Sequence, residues 1–127
     1  MALFDCTVDD VGAGFGGRLT VLAVGFAWSP SSCQLLAAVR AAGLAELGVA
    51  VRTLDGDGAL AFASKNGILS GAGGVKIYDE GREVCFRRAE AGLTYTIVSA
   101  LRSSQVRDLV QRVLDAKKSN TIAQLDF

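Results

Sequence analysis

The chain has 127 residues, enough to bury a core as one domain, and its 13 acidic and 13 basic residues cancel to a net charge of zero. That balance gives no support for bare nucleic acid, an anionic membrane or a strongly acidic molecule as the partner. Histidine is absent, which excludes Ser-His, Cys-His and His-metal chemistry, because each needs an imidazole as base or ligand. Nothing in the composition indicates a metal, a cofactor or a small-molecule substrate.

Cysteine usage and the N-terminal residues bear on the compartment. Cys6, Cys33 and Cys85 are odd in number and widely spaced, which argues against a secreted disulfide framework. Residues 1–10 have neither the basic region nor the apolar run of a signal peptide, and no stretch approaches the roughly 18 apolar residues of a membrane span. We expect a soluble, intracellular protein that is not secreted.

The first predicted elements precede the most apolar part of the chain. Leu3–Val8 has the pattern of a short strand, and the glycine-rich segment 12–17 is predicted to be a surface linker. That segment is not a phosphate loop, since it precedes a strand and no Gly-Lys-Ser/Thr follows it. Leu19–Phe26 is apolar and rich in β-branched residues, which predicts a central strand buried on both faces.

A helix is predicted next, because Ser29 is a good N-cap and Pro30 suits the first helical position. We expect it to end near Gly43 or Gly48. Val49–Leu54 is then a second strand, parallel to the first because a helix connects the two.

The second half of the chain is predicted to hold a short helix, a glycine loop, an antiparallel hairpin and an extended segment. In order, these are Ala59–Asn66, Ser70–Gly74, the strands Val75–Tyr78 and Glu83–Arg87, and Leu93–Val98. Ser103–Lys117 has apolar residues at helical spacing, and the tail 119–127 is predicted to be loose. Together these elements predict one α/β domain over residues 1–127, with its core in about 19–118 and a mixed central sheet covered by helices on both faces.

Two features are candidates for chemistry. Cys33 lies in the first turn of the predicted helix, where a helix N-terminus stabilises a thiolate, so it is a candidate nucleophile or redox sensor. The alternative, a packed core thiol, is the interpretation we favour. The glycines at 71, 73 and 74 indicate either a close approach of the backbone to the Trp28 turn or a loop that needs positive φ, and we favour the second.

From Leu19 to about Lys118 the chain resembles the thioredoxin fold, and its turn resembles one branch of it more than the redox enzymes. Residues Gly25–Cys33 are similar to the Phe, then Trp-x-Pro-Thr-Cys turn of the Dim family, the small thioredoxin-like subunit of the spliceosomal tri-snRNP, with one extra residue before the cysteine. The long connection 87–103 and the basic-ended last helix are also similar to that family. The proline that the family keeps before the hairpin is missing from the glycine loop.

This resemblance implies a redox-inactive scaffold or adaptor subunit of a ribonucleoprotein assembly for pre-mRNA splicing, located in the nucleus and bound to other protein subunits. Its expected partner surface comprises Trp28, Ser29, Pro30, Ser31, Gly73, Gly74 and Tyr95, with further contacts in segment 88–98 and the apolar tail. The neutral charge gives no strong sign of direct RNA binding. The alternative is a cytoplasmic monothiol oxidoreductase or thiol redox sensor that uses Cys33.

Overall fold

The structure is a computed structural model that describes residues 3–68, 71, 73–88, 94–98 and 101–126. Its helices and strands are, in order, α1 Val8–Gly12, β1 Thr20–Gly25, α2 Pro30–Ala41, β2 Ala50–Asp55, α3 Leu60–Lys65, β3 Gly74–Asp79, β4 Arg82–Glu83, β5 Phe86–Arg88, β6 Thr94–Tyr95, α4 Ser103–Ser119 and β7 Ala123–Leu125. Short 3₁₀ segments cover Gly14–Gly17 and Leu44–Leu47. None of the helices in these ranges has the length and apolar character to cross a bilayer.

The central sheet has four strands in the order β2-β1-β3-β4. Strand β2 runs parallel to β1, with Val51 opposite Val21, and β3 runs antiparallel to β1, with Ile77 opposite the same residue. All six residues of β1 are buried, as its apolar sequence predicts. The predicted parallel pair is therefore confirmed, and the predicted hairpin is confirmed by the antiparallel pairing of β3 with β4, in which Tyr78 lies opposite Glu83.

Helices cover both faces of this sheet, which confirms the predicted α/β class. On one face, Val21 and Ala23 pack with apolar residues of α2 and α4. On the other face, Leu22 and Val24 pack with residues of α3 and of the N-terminal segment. Because side chains alternate along a strand, consecutive residues of β1 supply the two cores.

A second, three-stranded sheet in the order β6-β5-β7 corrects two predictions. The single strand predicted over Glu83–Arg87 is interrupted at residues 84 and 85, because Phe86 turns into the core and pairs with Tyr95 on one side and Ala123 on the other. The predicted loose tail is wrong for its described residues, since β7 pairs in parallel with β5 and buries Leu125. The core therefore extends past residue 118.

The N-terminal and connecting segments also differ from prediction. Leu3–Val8 is not a strand: only Cys6 bridges to Leu54 of β2, and α1 begins at Val8 because the Asp10 carboxylate accepts the Thr7 N–H at 2.8 Å. The predicted linker 12–17 is partly buried, since Gly14 packs against Gly81. Of the extended segment 93–98, residue 93 lies outside the described residues, β6 begins at 94, and Val98 bridges to Val75.

Candidate functional site

The turn that follows β1 is held by local hydrogen bonds. The Ser29 N–H donates to the Phe26 carbonyl at 3.0 Å, and the Ser29 hydroxyl accepts the Ser32 N–H at 3.4 Å. Pro30 occupies the first position of α2, where its missing N–H costs no hydrogen bond. The helix ends at Ala41, and the following Gly43 has a φ of 66°. Both ends of α2 therefore confirm the predicted capping residues.

Trp28 projects from this turn with 65% of its surface exposed. Its indole Nε1–H donates to the Asp57 carboxylate at 3.2 Å, which joins the turn after β1 to the loop after β2. The ring lies 5.5 Å from that of Phe26, centroid to centroid, in a tilted arrangement. Trp28 is thus both exposed and fixed in orientation.

The glycine loop lies against this turn. Gly71 has a φ of 78°, and a Cβ added to it would lie 2.4 Å from the Trp28 ring. Gly73 has a φ of 77°, and its Cβ would lie 2.6 Å from the Val24 carbonyl oxygen. The Ser32 hydroxyl donates to the Gly71 carbonyl and ties the loop to α2. Both interpretations of the glycine loop therefore apply: Gly71 and Gly73 adopt positive φ, and their backbone also lies close to neighbouring residues.

Some residues of the predicted partner surface are buried and others are exposed. Gly73 and Gly74 are buried, so they are not surface contacts, which corrects that part of the prediction. Pro30 and Ser31 are exposed, whereas Ser29 is buried as a capping residue.

Tyr95, the remaining member of the predicted partner surface, lies in the second sheet. It is half-buried, and the Arg88 guanidinium lies over its ring at 5.5 Å from the centroid. The structure therefore places Tyr95 in the second sheet, whereas the Trp28 turn follows a strand of the central sheet.

Cys33 is only partly buried, which differs from the favoured prediction of a packed core thiol. Its Sγ donates to the Ala27 carbonyl at 3.6 Å and so faces the turn. The side chain of α2 that faces the core at this point is the fully buried Ser32, which lies four residues before Leu36 on the same helix face. The exposure of Cys33 leaves it accessible for thiol chemistry.

The other two cysteines are remote from Cys33. Cys6 packs against the sheet face opposite α2, donates its thiol to the Thr53 carbonyl at 3.3 Å, and has its pKa raised to about 11 by burial. Cys85 follows β4, which pairs with the end of β3 that lies beside Thr20 at the start of β1. Since β1 spans roughly 17 Å, Cys85 and Cys33 lie at opposite ends of the sheet. All three thiols are free.

Three further residues near the Trp28 turn were not predicted from the sequence. Asp57 fixes the indole, Leu60 is 62% exposed at the start of α3, and Val8 is 42% exposed at the start of α1. The sequence gives one indication that Leu60 is exposed: it is an apolar residue at the first position of a short helix. The hydrogen bond of Asp57 joins residues 29 positions apart, and no local pattern indicates it.

No family model matches this chain, and no curated protein matches it. Among solved structures, the chain is similar to the X-ray structure of Fasciola hepatica thioredoxin, with 18% sequence identity and a TM-score of 0.60 over 84% of this chain and 93% of that chain. At this identity the likeness establishes a thioredoxin-like fold, as predicted from the sequence. The finer resemblance to the Dim family stays a prediction.

Proposed function

We propose that this thioredoxin-like chain is a protein-binding adaptor whose contact surface is centred on the Trp28 turn, and that it is not a dithiol oxidoreductase. The observation that carries the proposal is the state of Trp28, which is 65% exposed yet fixed by its hydrogen bond to Asp57 and by the glycine loop beneath it. An ordered, exposed tryptophan loses little conformational entropy on binding, and tryptophan is enriched among residues that dominate interfaces.

The positions of the thiols support an adaptor over an enzyme. A dithiol reaction needs a second thiol that can reach the first, and Cys6 and Cys85 lie on the other face and at the other end of the sheet from Cys33. Pro30 stands three residues before Cys33 and Leu36 three residues after it, where a paired motif would carry its second cysteine.

The assembly that we propose is a ribonucleoprotein complex for pre-mRNA splicing, in which this chain contacts other protein subunits in the nucleus. The support is the similarity of Gly25–Cys33 to the Dim-family turn. The zero net charge also favours protein contacts over direct binding of RNA phosphates.

Affinity purification of the tagged chain from nuclear extract tests this proposal. We expect splicing proteins to be recovered with the unaltered chain and to be reduced roughly tenfold with Trp28→Ala. Glu80→Gln is the control, because it alters an exposed side chain at the opposite end of the central sheet and outside the expected partner surface. Equal recovery with Trp28→Ala and Glu80→Gln would contradict the binding surface, and recovery of other proteins alone would contradict the splicing assignment.

One observation favours a second function, a monothiol oxidoreductase or thiol sensor, since the Cys33 thiol is partly exposed beside the Trp28 turn. Its thiolate would attack a disulfide of the substrate, forming a mixed disulfide and expelling one substrate thiolate, and an external thiolate would then attack the mixed disulfide and displace the Cys33 thiolate. This function predicts turnover in a glutathione-coupled reduction assay that is lost in Cys33→Ser and kept in Cys85→Ser. Absence of turnover in the unaltered chain would rule out the oxidoreductase, and a Cys33 thiol that is not oxidised by hydrogen peroxide would rule out the sensor.

A further inference from the structure

Exposed apolar side chains gather at one end of the central sheet. Within the described residues, four large hydrophobic side chains are exposed, Val8, Trp28, Leu60 and Ile122. The first three form what we call the apolar strip. Trp28 follows β1 and Leu60 follows β2, and these strands are parallel with Gly25 opposite Asp55, so both loops leave the sheet at the same edge. Three of four exposed hydrophobic side chains at one edge indicate an interaction surface.

A cleft and two hydrogen bonds link the loops that carry the apolar strip. Val8 and Ala59 line a cleft of about 130 Å³, and Leu60 is the next residue after Ala59. At the other end, Trp28 is bonded to Asp57, whose N–H donates to the Asp55 carboxylate at 3.0 Å. Asp55 also lines the cleft.

The size and lining of the cleft define what it can hold. Leu54, Cys6 and Ala59 make its walls largely apolar. Pockets for small molecules usually enclose about 300–1,000 Å³, which is more than this cleft provides. It has room for a single aliphatic side chain.

Three carboxylates adjoin the apolar strip, since Asp9 follows Val8 in sequence, Asp55 lines the cleft and Asp57 binds the Trp28 indole. Asp9, Asp55 and Asp57 carry no ion pair within the described part of the chain, whereas Arg52 binds both Asp5 and Asp10 nearby. Asp9 and Asp57 are also exposed. Unpaired carboxylates beside an apolar surface attract ammonium and guanidinium groups and repel phosphate. The charge of this edge therefore matches a basic protein segment and opposes a nucleic acid.

We propose that the apolar strip binds a peptide segment of a partner protein that places one aliphatic side chain in the cleft and flanking lysine or arginine side chains against Asp9, Asp55 and Asp57. This inference rests on the proposed adaptor function and names the class of partner that its surface takes. Trp28 supplies one end of the contact and Val8 the other. The segment therefore crosses the ends of β1 and β2.

Selection from a phage library of random twelve-residue peptides against the immobilised full chain tests this proposal. We expect the selected peptides to share an aliphatic residue flanked by at least two lysine or arginine residues. A selected peptide, made with a fluorescent label, should bind roughly tenfold more weakly to Leu60→Ser. Asp57→Asn keeps the acceptor for the indole and removes the charge, so it should weaken binding severalfold and flatten the salt dependence.

Glu80→Gln is the matched control, since it alters an exposed side chain outside the strip, and it should change binding less than twofold. Selection of acidic or uncharged peptides, failure to select any peptide, or unchanged binding by Leu60→Ser would overturn the proposal.

The outcome separates this inference from the proposed function. If native partners are lost with Trp28→Ala but are retained in full with Leu60→Ser and Val8→Ser, the adaptor function stands and the basic-peptide inference fails. If none of these variants changes the recovery of partners, both fail. If all three variants reduce the recovery of partners and Glu80→Gln does not, both are supported.

Discussion

At the scale of single residues, Trp28 is the only tryptophan in the chain, so its fluorescence reports on one position. Its ring lies directly over the backbone of Gly71, where even a methyl group has no room. The position of the exposed indole therefore depends on a glycine 43 residues away in sequence. This dependence gives the first prediction.

We predict that Gly71→Ala displaces the Trp28 ring. The new Cβ would lie 2.4 Å from the ring, far inside van der Waals contact, so the indole must move and its bond to Asp57 must lengthen. Emission should shift to longer wavelength, and quenching by acrylamide should increase. Gly67→Ala is the control, because it has a similar φ of 73° but no heavy atom near its Cβ. An equal spectral change in both variants would contradict the contact.

We predict that Tyr78→Phe raises the free energy of unfolding by about 1 kcal/mol. Tyr78 is 4% exposed, and its hydroxyl has no hydrogen-bond partner within the described residues. Removing the hydroxyl loses no hydrogen bond and relieves the cost of burying a polar group, while the ring keeps its contact with Phe15. Urea denaturation measures the change, and Tyr95→Phe, at a half-buried site, should shift it by less. Destabilisation by Tyr78→Phe would show that the hydroxyl has a partner after all.

At the scale of elements, the start of α2 could be predicted because its signals are local, a serine cap and a proline at the first position, whereas the sequence left its end at either Gly43 or Gly48. The sequence pattern also contains the orientation of Cys33, since Ser32 and not Cys33 has helical spacing to the buried Leu36 and Val39. This spacing predicts that Ser32 faces the core and that Cys33 does not.

Strand β7 and the glycine loop show what the sequence could not predict. A three-residue strand carries too little periodicity to be recognised, and β7 exists because it pairs with β5, some 37 residues earlier in the chain. The positive φ of Gly71 and Gly73 was foreseeable from residue type, but their contacts with Trp28 and Val24 depend on the assembled sheet.

We predict that β7 contributes to the stability of the whole domain. Leu125 is 2% exposed in the core, so Leu125→Ala should lower the free energy of unfolding by about 2–4 kcal/mol. Gln124 points outward from the same strand, and its backbone carbonyl keeps the bond from Arg112 in any substitution, so Gln124→Ala should cost less than about 0.5 kcal/mol. Urea denaturation of both variants makes the comparison. Equal, small effects would mean that the tail is loose, as its sequence suggested.

At the scale of the whole molecule, the buried Tyr78 and the partly buried Cys6 make the fold sensitive to alkaline pH. Burial raises the pKa of Cys6 from 9.0 to about 11 and that of Tyr78 from 10.0 to about 12. Both groups therefore hold their protons longer in the folded state than in the unfolded state. Since the unfolded chain then binds fewer protons, stability falls as pH rises.

We predict that the urea midpoint is constant up to about pH 9 and then declines through the range set by these two pKa values. Cys6→Ala should remove the part of the decline between pH 9 and 11, and Tyr78→Phe the part above pH 10. Urea denaturation at intervals of one pH unit from pH 8 to 11 measures this decline of the midpoint. A midpoint that stays level across this range would contradict the burial of both groups.

The pairing of β7 with β5 also sets an order of events during synthesis. The four strands of the central sheet lie within residues 20–83 and can meet as soon as that part has left the ribosome. Completion of the second sheet by β7 must wait for Leu125, and at ~5–20 residues per second this wait lasts several seconds. During that time Phe86 has no β7 to cover it, so the nascent chain exposes an apolar site that a chaperone can recognise.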